Sequence, residues 1–177
     1  ILGEYNYSFG ARCVNHLLDL FQHNATAGIV WEGYDSYYEH HAPSPFSYWG
    51  MLSYDPATKA YTPRKNFYAI QQVSRFVLPG SWRVDLTAQG DSLVVLAFHN
   101  EKTKSVSIVG INKAHSPVKL NAQLADLPAV NTLGLYYTDN TENVKWLTDV
   151  SVKNKAFNTT IPADCIFTLT GGENTSA

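Results

Sequence analysis

The sequence predicts an α/β segment, the last βαβα units of a (β/α)8 barrel, followed by an all-β segment, an antiparallel β-sandwich side domain. Three observations predict this pairing. The apolar opening Ile1-Leu2-Gly3 delivers a carboxylate at Glu4, and Ile29-Val30-Trp31 does the same beside Glu32. Between these two strand ends lies one helical apolar period. Beyond Ser81 the texture changes to short alternating runs punctuated by turn residues, the spacing of a sandwich.

Each element follows from its local pattern. Val14, Leu17, Leu18 and Phe21 recur at helical spacing, with Arg12, Asn15, Asp19 and Gln22 between them, which predicts an amphipathic helix over residues 9–22. It stops near His23-Asn24, and residues 25–28 return the chain to the strand 29–31. Strand, helix and strand at this length make a βαβ unit with parallel strands and a right-handed crossover. Residues 32–45 read as a long polar and aromatic loop of the kind that carries function. After a turn at Asp55-Pro56, residues 63–76 predict a second helix: Pro63 suits the first turn, Phe67, Ile70 and Val73 supply the stripe, and Leu78-Pro79-Gly80 stops it.

Eight strands are expected after that: 82–86 and 92–98, a hairpin around Gln89-Gly90-Asp91, then 105–111, 118–124, 132–137, 144–147, 156–161 and 165–169. The expected organisation is therefore residues 1–80 for the barrel portion, 81–171 for the side domain and 172–177 for a tail.

Composition narrows the class of partner. With 177 residues, 45% apolar and 16% charged, the chain reads as ordered and long enough to bury a core. A formal net charge of −2 gives no attraction for nucleic acid or an anionic membrane, and no apolar run approaches the roughly 18 residues of a bilayer span. The N-terminus lacks the basic segment and small-residue cleavage site of a signal peptide. The N-x-[ST] patterns at Asn6, Asn24, Asn158 and Asn174 point towards a secreted or periplasmic protein. Cys13 and Cys165 are too few and too distant for a disulfide framework or a zinc site; two free buried thiols are the preferred reading, one bridge between them the alternative. No metal or organic cofactor is expected. Of the 4 Trp, 11 Tyr and 8 Phe, many fall between Tyr34 and Trp82; most should pack cores, but those beside strand ends offer flat faces suited to sugars.

The strand ends point to a chemistry. Cleaving a glycosidic bond with retention needs two carboxyl groups about 5–5.5 Å apart, one attacking the anomeric carbon and one protonating the leaving oxygen. Glu4, at a rigid strand end, suits the nucleophile, and Tyr5 and Asn6 beside it could donate hydrogen bonds that keep it ionised and oriented.

Several segments carry a family resemblance. Tyr61-Thr-Pro-Arg-Lys-Asn-Phe-Tyr-Ala-Ile70, Val73-Ser-Arg-Phe76 and Leu78-Pro-Gly-Ser-Trp-Arg-Val84, then Tyr136-Tyr-Thr-Asp-Asn140 and Ile161-Pro-Ala-Asp-Cys-Ile-Phe-Thr168, occur in an order and spacing that resemble the C-terminal part of a clan A glycoside hydrolase, most similar to family 30. The resemblance implies that Glu4, in Leu2-Gly-Glu-Tyr5, is the nucleophile ending barrel strand seven. It implies that Trp31, ending strand eight, floors a sugar subsite, often through a cis peptide. It brings Glu32, Tyr34, Asp35 and the His40-His41 pair near sugar hydroxyls. The family's acid/base carboxylate ends strand four and has no counterpart before Glu4; Glu32 and Glu39 are poor substitutes, because the resemblance places them after strand eight.

The expectation is therefore a retaining glycosidase for a β-linked poly- or oligosaccharide, active only when completed by an N-terminal barrel portion. The competing expectations are a non-catalytic carbohydrate-binding module and, for residues 82–170, a purely structural domain. The aromatics mostly precede Trp82, which favours the first.

Overall fold

The computed structural model describes residues 7–36, 50–89, 92–124, 127 and 130–172. Strands predominate and helices are few. The chain divides into two compact units, residues 1–70 and 71–177, and the division falls inside the second helix.

In the first unit, helix α1 (Tyr7–Gln22) buries Val14, Leu17 and Leu18 of the stripe its period prescribes, together with Gly10, while Phe21 is only half-buried. The helix closes where Ala25 N donates to Leu20 O at 3.0 Å and Asn24 N to Phe21 O at 3.1 Å. Asn24 takes φ 67°, the left-handed conformation that asparagine tolerates at a helix C-terminus. Strands β1 (Tyr34–Ser36), β2 (Leu52–Asp55) and β3 (Ala60–Pro63) form a small sheet in that order, β1 parallel to β2 and β2 antiparallel to β3.

The β2–β3 turn has a specific cause. The Asp55 carboxylate accepts from Ala57 N at 2.9 Å and from the Thr58 hydroxyl at 2.8 Å, while Lys59, at φ 59°, bonds its N–H back to Asp55 O. These hydrogen bonds hold the Asp55 carboxyl below its ordinary range. Sequence periodicity misses β3 because Ala60-Tyr-Thr-Pro63 is exposed at every position and does not alternate in burial.

Helix α2 (Lys65–Ser74) follows directly. It approaches α1 closely at Gly10, where an added Cβ would stand 2.6 Å from Ala69 Cβ and 3.2 Å from Asn66 Cα.

One expected element differs. Residues 29–31 belong to no strand, and Ile29 is 96% exposed. A strand of this type is buried on both faces and depends on neighbours to either side. Residues 1–6, its expected companion strand, lie outside the described residues, and nothing else described forms a ladder with it.

Among the described residues the second unit holds nine strands. Strands β4 (Trp82–Val84), β6 (Leu93–Asn100), β7 (Ser105–Asn112), β9 (Thr132–Thr138), β10 (Lys145–Ser151) and β12 (Cys165–Gly171) form one sheet, and β5 (Thr87–Gln89), β8 (Val118–Gln123) and β11 (Ala156–Ile161) another. The strand orders are β10-β9-β12-β7-β6-β4 and β11-β8-β5, with every pair antiparallel. Alternate residues of both sheets meet in one core: Val106, Ile108, Leu133, Leu135, Phe167 and Leu169 from the larger, Leu120, Ala122, Phe157 and Ile161 from the smaller. All eight expected strands are present. The first expected pairing does occur, as Trp82↔His99 and Val84↔Ala97, but the chain visits the second sheet as β5 before returning as β6.

The other face of the large sheet is anchored to the end of α2. The Thr168 hydroxyl donates to Gln72, 2.7 Å from its carbonyl and 2.8 Å from Oε1, and Gln72 Nε2 donates to the Thr138 hydroxyl at 3.0 Å. The Ser107 hydroxyl donates to Phe76 O at 2.6 Å. Both cysteines are free; Cys13 is half-buried and Cys165 buried, its thiol pushed up to about 12 by desolvation. Among the described residues no helix is long and apolar enough to cross a membrane.

Candidate active site

The first unit positions the candidate site through Trp31. Its ring is 70% exposed, and the Trp31–Glu32 peptide bond is cis. Immediately after it the backbone is fixed. Met51 N donates to Glu32 O at 2.9 Å and Leu52 N to Gly33 O at 3.0 Å, so the parallel pairing of β1 and β2 is extended back to the tryptophan. The 50–52 segment is held in turn by Arg64. That residue is fully buried, its guanidinium Nη1 donates to Gly50 O at 2.9 Å, and its N–H donates to Met51 O at 3.0 Å. A charged donor of this kind makes a stronger bond than a neutral one and fixes the segment that pairs with Glu32 and Gly33, next to the tryptophan. Nothing in the sequence pattern singles out Arg64; it reads as an ordinary basic residue at a helix start.

Beyond Trp31, one face of the small sheet is aromatic. The register pairs Tyr34 with Leu52, Tyr54 with Tyr61 and Leu52 with Pro63, so alternation sets Tyr34, Leu52, Tyr54, Tyr61 and Pro63 on the same side. The rings touch: Tyr54 and Tyr61 centroids lie 4.9 Å apart and tilted, and Tyr34 stands edge-on to both at 6.1 and 5.6 Å. Tyr34 and Tyr61 remain about half exposed. Edge-to-face rings hold each other in orientation while keeping apolar faces and hydroxyls available. Tyr34 was expected near a ligand; Tyr54 and Tyr61 were not singled out, because they reach it only through the β2–β3 pairing.

The remaining candidates divide as follows. Glu4, Tyr5 and Asn6 lie outside the described residues, as do Glu39 and the His40-His41 pair. Glu32 is partly exposed at the start of the sheet; Asp35 lies in β1, its side chain outside the described residues. Trp31, Glu32 and Tyr34 follow one another into the start of the β1–β2 pairing, and Tyr34 alone of these is shown in contact with Tyr54 and Tyr61, which pair further along the sheet beside Ser36. Among the described residues no group of three or more His, Cys, Asp or Glu is arranged to hold a metal ion.

Comparison with known proteins gives a consistent picture. No family model matches the chain. Glucuronoxylanase XynC of Bacillus subtilis (strain 168) is 30% identical over 117 residues, which cover 66% of this chain and 27% of that protein. In fold, a family 30 endoxylanase from Clostridium papyrosolvens C71 superposes with a TM-score of 0.73 over 97% of this chain and 40% of its own, at 21% identity. The family 30 subfamily 8 xylanase Xyn30A from Clostridium acetobutylicum gives 0.71 over 97% and 41%, at 19% identity. A family 44 xyloglucanase from Paenibacillus polymyxa gives 0.66 at 13% identity, covering 97% of this chain and 30% of its own. The chain resembles family 30 glycoside hydrolases in sequence and in fold. It spans about a quarter of the curated relative's length and about two fifths of the two family 30 structures.

Proposed function

We propose that this chain is the C-terminal portion of a retaining glycoside hydrolase that acts on a β-linked poly- or oligosaccharide. Its residues 1–80 would complete a (β/α)8 barrel and its later strands form the side domain. The observation that carries the reading is the agreement of two likenesses, a 30% identical glucuronoxylanase over 117 residues and family 30 xylanase folds over 97% of the chain.

In this reading Glu4 is the nucleophile. Its carboxylate attacks the anomeric carbon and forms a glycosyl ester, while the bond to the leaving oxygen breaks and that oxygen takes a proton from an acid/base carboxyl supplied by a more N-terminal segment. Water then cleaves the ester, giving its proton to the same acid/base group and restoring Glu4. Tyr5 and Asn6 hold the Glu4 carboxylate ionised and aimed. Trp31 supplies the floor on which the sugar rests, and its support through Met51, Leu52 and buried Arg64 keeps that floor in place. Glu32, Tyr34 and Asp35 contact sugar hydroxyls beside it. Tyr54 and Tyr61 extend the aromatic surface to neighbouring sugars of a chain. The enzyme is secreted, periplasmic or extracellular, where such a polymer is met.

Changing Glu4→Gln in the complete enzyme tests the assignment. Loss of kcat/KM by about a thousandfold or more, with substrate still bound, is expected for removal of a nucleophile. Activity near that of the parent would overturn it.

A further inference from the structure

The second unit carries an aromatic surface of its own on β10, one of the two edge strands of the larger sheet. Trp146 there is 54% exposed. Its cross-strand partner is Tyr136 on β9, and Tyr136 in turn packs against Phe76 with ring centroids 4.9 Å apart. Trp146 and Asp149 are three residues apart, which in a regular strand would point them to opposite faces. A β-bulge changes this. The pairing jumps from Trp146↔Tyr136 to Thr148↔Leu135, leaving Leu147 as the extra residue, so that Asp149, opposite Gly134, returns to the face of Trp146. The indole Nε1–H then donates to Asp149 Oδ1 at 3.3 Å.

We infer that Trp146, Asp149 and Tyr136 form a second sugar-binding platform, built from residues other than those around Trp31 and taking a neutral β-linked polysaccharide chain. The indole plane is set in advance by its bond to Asp149, which lowers the ordering cost of stacking a sugar ring. The carboxylate beside the ring accepts from hydroxyls at the edge of that sugar. Gly134 keeps the intervening surface hollow: a Cβ there would stand 3.2 Å from the Tyr136 ring and 3.8 Å from the Asp149 carboxylate.

The surroundings select the ligand class. The apolar area is essentially one indole and Leu147, bordered by the Lys145–Glu142 ion pair, Thr148 and Asp149, far short of the roughly 1,000 Å² of a stable protein interface. Around the rings the acids Asp139, Glu142 and Asp149 stand against Lys145, itself paired with Glu142, and Arg75 over the Phe76 ring, so there is no excess of positive charge to draw an anionic ligand and a neutral polyhydroxyl surface is the fit. The inference rests on the proposed reading in one respect, that the enzyme meets a β-linked polysaccharide.

The test uses the complete enzyme carrying Glu4→Gln, with and without Trp146→Ala, in affinity electrophoresis through soluble xylan and, as an α-linked control, starch. Trp146→Ala should weaken retention by xylan roughly three- to tenfold, the range of a single aromatic contact, and leave migration in starch unchanged. Trp146→Tyr should restore most of the retention. Equal retention of both proteins would overturn the platform. So would a Trp146→Ala protein that has lost thermal stability but not retention, since the indole would then be covered by another part of the same enzyme. A Glu4→Gln enzyme that still hydrolyses xylan would contradict the nucleophile assignment instead, and the two failures are read separately.

Discussion

Thr168 shows how a single hydroxyl anchors the end of α2 to the large sheet. It is fully buried and donates to Gln72, itself fully buried, whose amide reaches on to Thr138. Thr168→Val keeps the shape and removes the donor, leaving Gln72 acceptors without it in a place water does not reach. A loss of about 1–3 kcal/mol is expected in urea unfolding, and a change below the measurement error would mean that the contact contributes nothing net.

His115 and Asp164 make the opposite kind of pair, exposed and joining two loops at one end of the second unit. His115 Nδ1 lies 2.8 Å from an Asp164 carboxylate oxygen, and the hydrogen bond, then the charge, of Asp164 raise the imidazole above its ordinary 6.5. A group whose folded pKa is raised stabilises fully below its unfolded pKa and loses that contribution as pH rises through the folded value. The pair's contribution should therefore fade as pH climbs past 6.5. The NMR titration of His115 should show a midpoint above that value, returned to it by Asp164→Asn. Neither residue was legible as a partner, since 49 positions separate them and only the turn geometry joins them.

Among elements, the legible ones are those whose burial follows a period. Helix α1 covers the predicted residues because Val14, Leu17 and Leu18 form its buried stripe, and β9 appears because Leu133 and Leu135 point inward and Thr132 outward. Three things were not legible, each for a physical reason. Strand β3 is exposed throughout and owes its place to the Asp55 turn. The bulge in β10 inverts the facing that simple alternation assigns to Asp149. Residues 29–31 read as a buried strand from their apolarity, yet no described neighbour pairs with them.

The crossing of α1 and α2 supplies an element-level prediction. Gly10 is the point of closest approach, and a methyl there would stand 2.6 Å from Ala69 Cβ. Alanine's better helix propensity works in favour of Gly10→Ala by up to about 1 kcal/mol, and overpacking works against it by roughly 1–3 kcal/mol. Net destabilisation is expected, with Ala69→Gly in the same chain restoring part of it. A stabilised Gly10→Ala protein would show that the helices part without cost.

For the whole molecule, the two-sheet core accounts for most of the second unit without any ligand, as its Val, Leu and Ile alternation anticipates. The candidate site lies in the first unit and was legible only in outline. Trp31, Glu32 and Tyr34 follow one another in sequence, whereas Arg64, Tyr54 and Tyr61 join them through pairings that no local pattern announces. Glu4, the proposed nucleophile, lies outside the described residues, so its proposed role is tested by reaction rather than by geometry.

Covalent trapping decides it most directly. The complete enzyme would be incubated with a 2-fluoro-β-glycoside bearing a good leaving group, which allows the glycosyl ester to form and slows its hydrolysis. Intact-mass analysis followed by peptide mapping then locates the label. One added glycosyl residue is expected, carried by Glu4 on the peptide that runs through Arg12. A label on any other carboxylate, with Glu4 unmodified, would contradict it.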